Sequence, residues 1–119
     1  MKLRALLVVP IIAAACGPSV NDVCSQYAQV WCQQQYTCKS GADLQAIQTK
    51  YGADVATCAN AYSKELHCAN ATISPCAPGT SYDTGRGQQC TTEYEALTCA
   101  QIQSNTDLSD CSLPGYICH

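Results

Sequence analysis

Eleven cysteines in 119 residues constrain this chain more than any other feature. After Cys16 they stand at Cys24, Cys32, Cys38, Cys58, Cys68, Cys76, Cys90, Cys99, Cys111 and Cys118. Ten is an even number and suits five disulfides. Metal binding fits the pattern poorly. No Cys-x-x-Cys pair is present, and His67 and His119 each sit beside a cysteine, which is not the usual zinc spacing. A thioredoxin-like redox pair would need two thiols at short spacing, one with a lowered pKa. The cysteines therefore read as structure, with no metal and no cofactor expected.

The rest of the composition explains the need for covalent staples. Beyond Cys16 the large apolar side chains amount to four Val, five Leu, four Ile and Trp31, with no Phe and seven Tyr. Such a set removes little surface from water, at roughly 25 cal/mol per Å². Disulfides, at about 2–4 kcal/mol each, compensate by restricting the unfolded chain.

The N-terminus reads as an export signal. Lys2 and Arg4 precede an uncharged run from Ala5 to Ala15, which gives the charged start, apolar middle and small-residue end of a signal peptide. Its 11 residues are too few to span a bilayer, which takes about 20. Two processing routes share the cut before Cys16. Ala13-x-Ala15 suits ordinary signal peptidase, and Ala13-Ala14-Ala15-Cys16 resembles a bacterial lipobox, in which Cys16 becomes the lipidated, palmitate-bearing N-terminus. The departure is Ala13, where that motif most often has Leu. Lipidation of Cys16 also removes the odd thiol. The expected organisation is a signal peptide over 1–15, a lipid-anchored lead over 16–19 and one disulfide-rich helical domain over 20–119. A lead of three to five residues reaches no further than roughly 18 Å, so the domain would lie close to the lipid surface.

Four basic residues face nine acidic ones beyond Cys16, a net charge of −5. With no basic cluster, nucleic acid and polybasic membrane contact are not expected.

Along the chain, Ser19-Val20-Asn21-Asp22 has the form of a capping box. Val20, Val23, Cys24, Tyr27, Val30 and Trp31 then recur at helical spacing until Lys39-Ser40-Gly41. Ser40 to Asp43 repeats the capping form before a short helix with Leu44, Ile47 and Tyr51, stopped at Gly52. Asp54 opens a third helix carrying Val55, Cys58, Tyr62 and Leu66 to about Cys68. The breakers from Asn70 to Gly87 predict a loop around Cys76. Cys90, Tyr94, Leu97 and Gln101 predict a further helix from beyond Gly87 to about Ser104, followed by an irregular tail pinned by Cys111 and Cys118. The fold class is all-α: a small disulfide-stapled bundle of three to four short helices.

Three helices carry a Tyr between two cysteines, as Cys24-x2-Tyr27-x4-Cys32, Cys58-x3-Tyr62-x5-Cys68 and Cys90-x3-Tyr94-x4-Cys99. Antiparallel helices of this kind can be stapled at both ends, with the Tyr filling the space between staples. Ten cysteines allow roughly 945 pairings. If the first and third helices are antiparallel, Cys24–Cys68 and Cys32–Cys58 form a two-rung staple, and Cys99–Cys111 would clasp the tail.

The spacing Cys24-x7-Cys32-x5-Cys38, Tyr51-Gly52, Cys58-x9-Cys68, Pro78-Gly79-Thr80, Cys90-x8-Cys99, Cys111, Leu113-Pro114-Gly115 and Cys118 resembles small cysteine-rich lipoproteins numerous in myxobacteria. The resemblance covers nearly the whole mature chain, with Cys76 an addition to the pattern. It implies a cell-envelope location. Together with Gly17, which is not the Asp of inner-membrane retention, it points to the outer membrane. It transfers no functional residue.

Catalytic signals are sparse. Hydrolysis needs a nucleophile, a base and an orienting acid together, and His67 is the only histidine inside the chain. Glu93 and Glu95 face apart on a helix. Trp31 and the tyrosines, at helical spacing, read as core, and Gln33-Gln34-Gln35 as a wet helix face. No catalytic residue is assigned. The function expected is a non-enzymatic envelope module, anchored by lipid on Cys16 and meeting an envelope or surface partner. The alternative is a small secreted disulfide-rich enzyme or inhibitor, released after ordinary cleavage. A pocket gathering His67 with acidic residues would favour the alternative. Intact mass of the native exported chain tests the cysteine reading: it is expected to fall ten protons below the fully reduced mass, whereas a chelator-removable metal would overturn it.

Overall fold

The computed structural model describes residues 19–70, 83–105 and 108. Among them are five α-helices: α1 (Val20–Cys38), α2 (Gly41–Tyr51), α3 (Val55–Glu65), α4 (Thr84–Glu95) and α5 (Cys99–Gln103). A single 3-10 turn covers Cys68–Asn70. The protein is a small helical bundle stapled by disulfides. The tail expected to be pinned by Cys111 and Cys118 lies outside the described residues except for Asn105 and Leu108, as do Cys16 and Cys76.

The first helix is the spine. Ser19 caps it as the sequence requires, its hydroxyl accepting from the Asp22 N–H at 3.2 Å. The stripe Val20, Val23, Cys24, Tyr27, Ala28, Cys32, Gln35 and Cys38 is buried, and α3, α4, α5 and the 3-10 turn all pack on this helix. Val23, Ala28 and Cys32 are fully buried. They are small, and the space between helices is completed by sulfur and by tyrosine rings.

Disulfides fix the directions. Cys24 bonds Cys68 and Cys32 bonds Cys58, so advancing along α1 means retreating along α3, and the two run antiparallel. The expected two-rung staple is present. The expected tail clasp is not: Cys99 bonds Cys38, 61 residues away, and cannot also bond Cys111. Cys90, 1% exposed, is disulfide-bonded too. Closing loops of 26 to 61 residues costs the unfolded chain entropy worth about 3.5–4.5 kcal/mol per bridge.

Four local readings need correction. Ser40 stands at the N-cap of α2 without a side-chain capping bond. The third helix ends at Glu65, not near Cys68. Leu66 is its C-cap and His67 turns left-handed at φ 57°, which redirects the chain so that Cys68 can meet Cys24. The predicted loop also extends too far. Asp83 caps α4 by accepting from the Arg86 N–H at 3.1 Å, so Gly85 and Gly87 lie inside a helix despite costing about 1 kcal/mol each relative to Ala. Buried Gly87, Cys90 and Tyr94 supply the packing that holds it there. Finally, one predicted helix is two. Ala96, Leu97 and Thr98 separate α4 from α5, and Thr98 with Gln101 makes a reciprocal capping box.

Gly52 is required at the turn into α3. Its φ is 113°, and an added Cβ would lie 2.4 Å from Thr57 Cγ2.

With five residues, α5 is far too short to persist alone. It depends on Cys38–Cys99, on buried Ile102, and on Gln103 Nε2 donating to the Cys38 carbonyl at 2.8 Å. Removing that bridge with Cys38→Ala and Cys99→Ala is expected to lower unfolding free energy by about 2–4 kcal/mol. Non-reducing peptide mapping of the parent chain checks the assignment, because a Cys99–Cys111 peptide would contradict it.

Candidate functional site

Two regions bear on function: the aromatic cluster at the centre of the bundle and a polar cavity at one end of it. The tyrosines of the three Cys-Tyr-Cys segments do meet. Tyr27 lies 6.4 Å from Tyr62 and 5.9 Å from Tyr94 between ring centroids. Trp31 stacks on Tyr62 at 4.3 Å and meets Tyr51 edge-on at 5.4 Å. Tyr51 and Tyr62 complete the ring at 5.6 Å. These spacings suit offset and edge-to-face contact, worth about 0.5–1.5 kcal/mol a pair beyond burial. Half-buried Trp31 packs against both hydrophobic clusters, which agrees with the reading of it as core.

Burial pushes the Tyr62 phenol well above the usual tyrosine range, with a further upward push from neighbouring Tyr27 and Tyr51. Tyr94 is raised by burial as well, partly offset by the amide of Gln35, which donates to its hydroxyl at 2.7 Å. The polar stretch Gln33-Gln34-Gln35 is thus only partly a wet face. Gln35 is buried, and Gln34 Nε2 donates to the carbonyls of Tyr94, Glu95 and Leu97 at 3.3, 2.8 and 3.4 Å. It gathers carbonyls at and just beyond the end of α4.

The polar cavity lies where the antiparallel staple brings the start of α1 against the end of α3. It has a volume of about 330 Å³ and is lined by Asn21, Ser25, Asn60, Ser63, Lys64, His67, Cys68 and Ala69. Asn60, Ser63, Lys64 and His67 follow i, i+3, i+4, i+7 and form one stripe of the helix and its cap. Asn21 and Ser25 oppose them from α1. Asn21 Nδ2 donates to the Ala69 carbonyl at 3.2 Å, and its Oδ1 is buried with no donor. His67 is brought to this cavity by the left-handed cap, in company with serines but with no carboxylate among the lining residues. Glu93 and Glu95 are exposed on α4 and take no part. Sequence reasoning singled out His67 and missed its companions. The signal was available as a four-residue polar stripe opposite the apolar stripe of α3.

A shallower groove of about 380 Å³ runs between α1 and α4, lined mainly by Gln26, Gln29, Gln33, Gln88, Thr91 and Thr92. Both threonine hydroxyls are turned back on their own helix, to the carbonyls of Gly87 and Gln88.

Among the described residues, no three His, Cys, Asp or Glu side chains gather as a metal centre, and no helix is long and apolar enough to cross a membrane. Disulfides persist in oxidising compartments, and the bridges observed suit an extracellular or periplasmic protein. Comparison with family models, curated proteins and solved structures finds no match to this chain.

The buried phenols carry a pH consequence. An unfolded tyrosine ionises near about pH 10, while Tyr62 and Tyr94 resist ionisation in the fold. Their contribution is complete below that pH and is lost as pH rises toward the folded values, because the unfolded chain then holds fewer protons. Denaturant midpoints are expected to fall above about pH 10, and Tyr62→Phe should flatten the decline. An unchanged slope in Tyr62→Phe would show that this phenol does not carry it.

Proposed function

We propose that the protein is an exported lipoprotein of the cell envelope, held by acyl chains such as palmitate on Cys16, whose disulfide-stapled domain acts as a non-enzymatic interaction module. The observation that carries this reading is the position of the Ser19 N-cap. That N-cap lies three residues beyond Cys16, so the lead that tethers the helix reaches at most about 10 Å. An anchored domain with so short a lead stays at the lipid surface, where its net negative charge keeps it from lying flat against acidic headgroups. The basic start, the apolar run to Ala15, the lipobox-like Ala13-Ala14-Ala15-Cys16 and the resemblance to myxobacterial cysteine-rich lipoproteins support the same reading. Gly17 favours the outer membrane over the inner. A covalent cage around a small aromatic core suits an exposed location, since it resists unfolding without a large apolar interior.

The role of a partner-binding module rests on how the side chains are distributed. Among the described residues His67 is gathered with Lys64, serines and asparagines, an arrangement suited to binding through donors.

Membrane-fraction protein should begin at Cys16 and carry a diacylglyceryl mass, and metabolic labelling with palmitate should vanish in Cys16→Ser. An unmodified chain starting at Cys16 in the soluble fraction would instead establish ordinary secretion.

A further inference from the structure

We infer that the cavity between the start of α1 and the end of α3 binds a phosphate group, with Lys64 as counter-charge and Ser25, Asn60, Ser63 and His67 as donors. The first ground is electrostatic. The chain carries an excess of acid, yet among the described residues no carboxylate lines this cavity. Among the described residues the other cations are engaged: Lys50 with Glu65 at 3.2 Å, Arg86 with Asp83 at 3.9 Å, and Lys39 with the Asn105 side chain. Glu65, next in sequence to Lys64, is committed elsewhere. A hydrogen bond from Tyr51, with support from Lys50, holds its carboxyl below the usual range. Lys64, like Lys39, has no anionic partner among the described residues, and of the two only Lys64 borders the cavity.

The second ground is the donor set. Serine hydroxyls, asparagine amides and an imidazole N–H, present in either tautomer, all donate. A lysine ammonium serves phosphate as a point charge, and hydroxyl and amide donors can complete the contacts to its tetrahedral oxygens. The third ground is Asn21. Its Oδ1 is a buried acceptor with no donor, and such an atom beside a cavity marks a place for a water or a ligand hydroxyl. A monoprotonated phosphate carries one O–H that could serve it after a small shift of the amide. The volume of about 330 Å³ admits a phosphate group. Two sources share this chemistry: free phosphate and the headgroup of an acidic phospholipid, which an envelope-anchored domain would meet.

The test is an amide-resolved NMR titration of the disulfide-intact chain at constant ionic strength, with inorganic phosphate, with a soluble short-chain phosphatidic acid and with acetate. Phosphate is expected to give saturable shifts confined to Asn21, Ser25, Asn60, Ser63, Lys64 and His67, half-complete at about 1 mM, and Lys64→Ala should weaken binding by about tenfold or more. Arg86→Ala, which removes an engaged cation on α4, away from the cavity, should leave it unchanged. Response to both phosphorus ligands identifies free phosphate as sufficient; response only to phosphatidic acid identifies the headgroup. Linear, non-saturating shifts, equal response to acetate, or full binding by Lys64→Ala would each overturn the assignment.

Discussion

Every other element depends on the covalent attachment of α1. Its half-cystines Cys24, Cys32 and Cys38 bond three different elements: the 3-10 turn, α3 and α5. At 100° per residue they fan over about 120° of the helix surface, so the attached elements wrap the spine instead of crowding one face. The fan also sets what the core must be. With sulfur bridges near the axis, the remaining space is narrow at Val23, Ala28 and Cys32 and wide only between bridges. There the rings of Tyr27, Tyr62, Tyr94 and Trp31 fit. Phenylalanine would fill the same volume, but a hydroxyl allows the second use seen at Tyr94, which takes a hydrogen bond from the buried amide of Gln35.

Much of this architecture was legible in the chain because it follows from local rules. The Ser19 and Asp54 caps, the stripe of α1 and the antiparallel staple all derive from spacing and helical geometry. What escaped was decided at longer range. The two glycines of α4 argue for a loop until one sees that Gly87 is buried and that Gln34 closes the helix from α1. Cys99 looked for a neighbour in the tail, since nothing in its surroundings announces a partner 61 residues earlier. The Thr98-x-x-Gln101 capping box is a different case, a local signal overlooked because the apolar spacing of Cys90, Tyr94, Leu97 and Gln101 runs straight through it.

The polar cavity was half visible. His67 drew notice as a lone titratable residue, but its setting follows from two features that do not show in composition. One is the left-handed backbone of His67 itself, just past the end of α3. The other is the Cys24–Cys68 bridge, which draws that end of α3 against Asn21 and Ser25. A disulfide chosen for stability thereby determines which donors share a pocket, and stability and recognition are not separable at this end of the molecule.

The helical state of α1 also bears on how the right bridges form. A chain emerging from a secretion channel presents Cys24, Cys32 and Cys38 before any of their native partners, and in an oxidant these neighbours would join one another first. Once coiled into a helix, Cys24 and Cys32 stand about 12 Å apart and Cys32 and Cys38 about 9 Å, beyond the roughly 7 Å that a bridge can span. Secondary structure therefore acts as a chaperone for the thiols. It holds three nascent sulfurs out of mutual reach until the segments that should capture them have arrived.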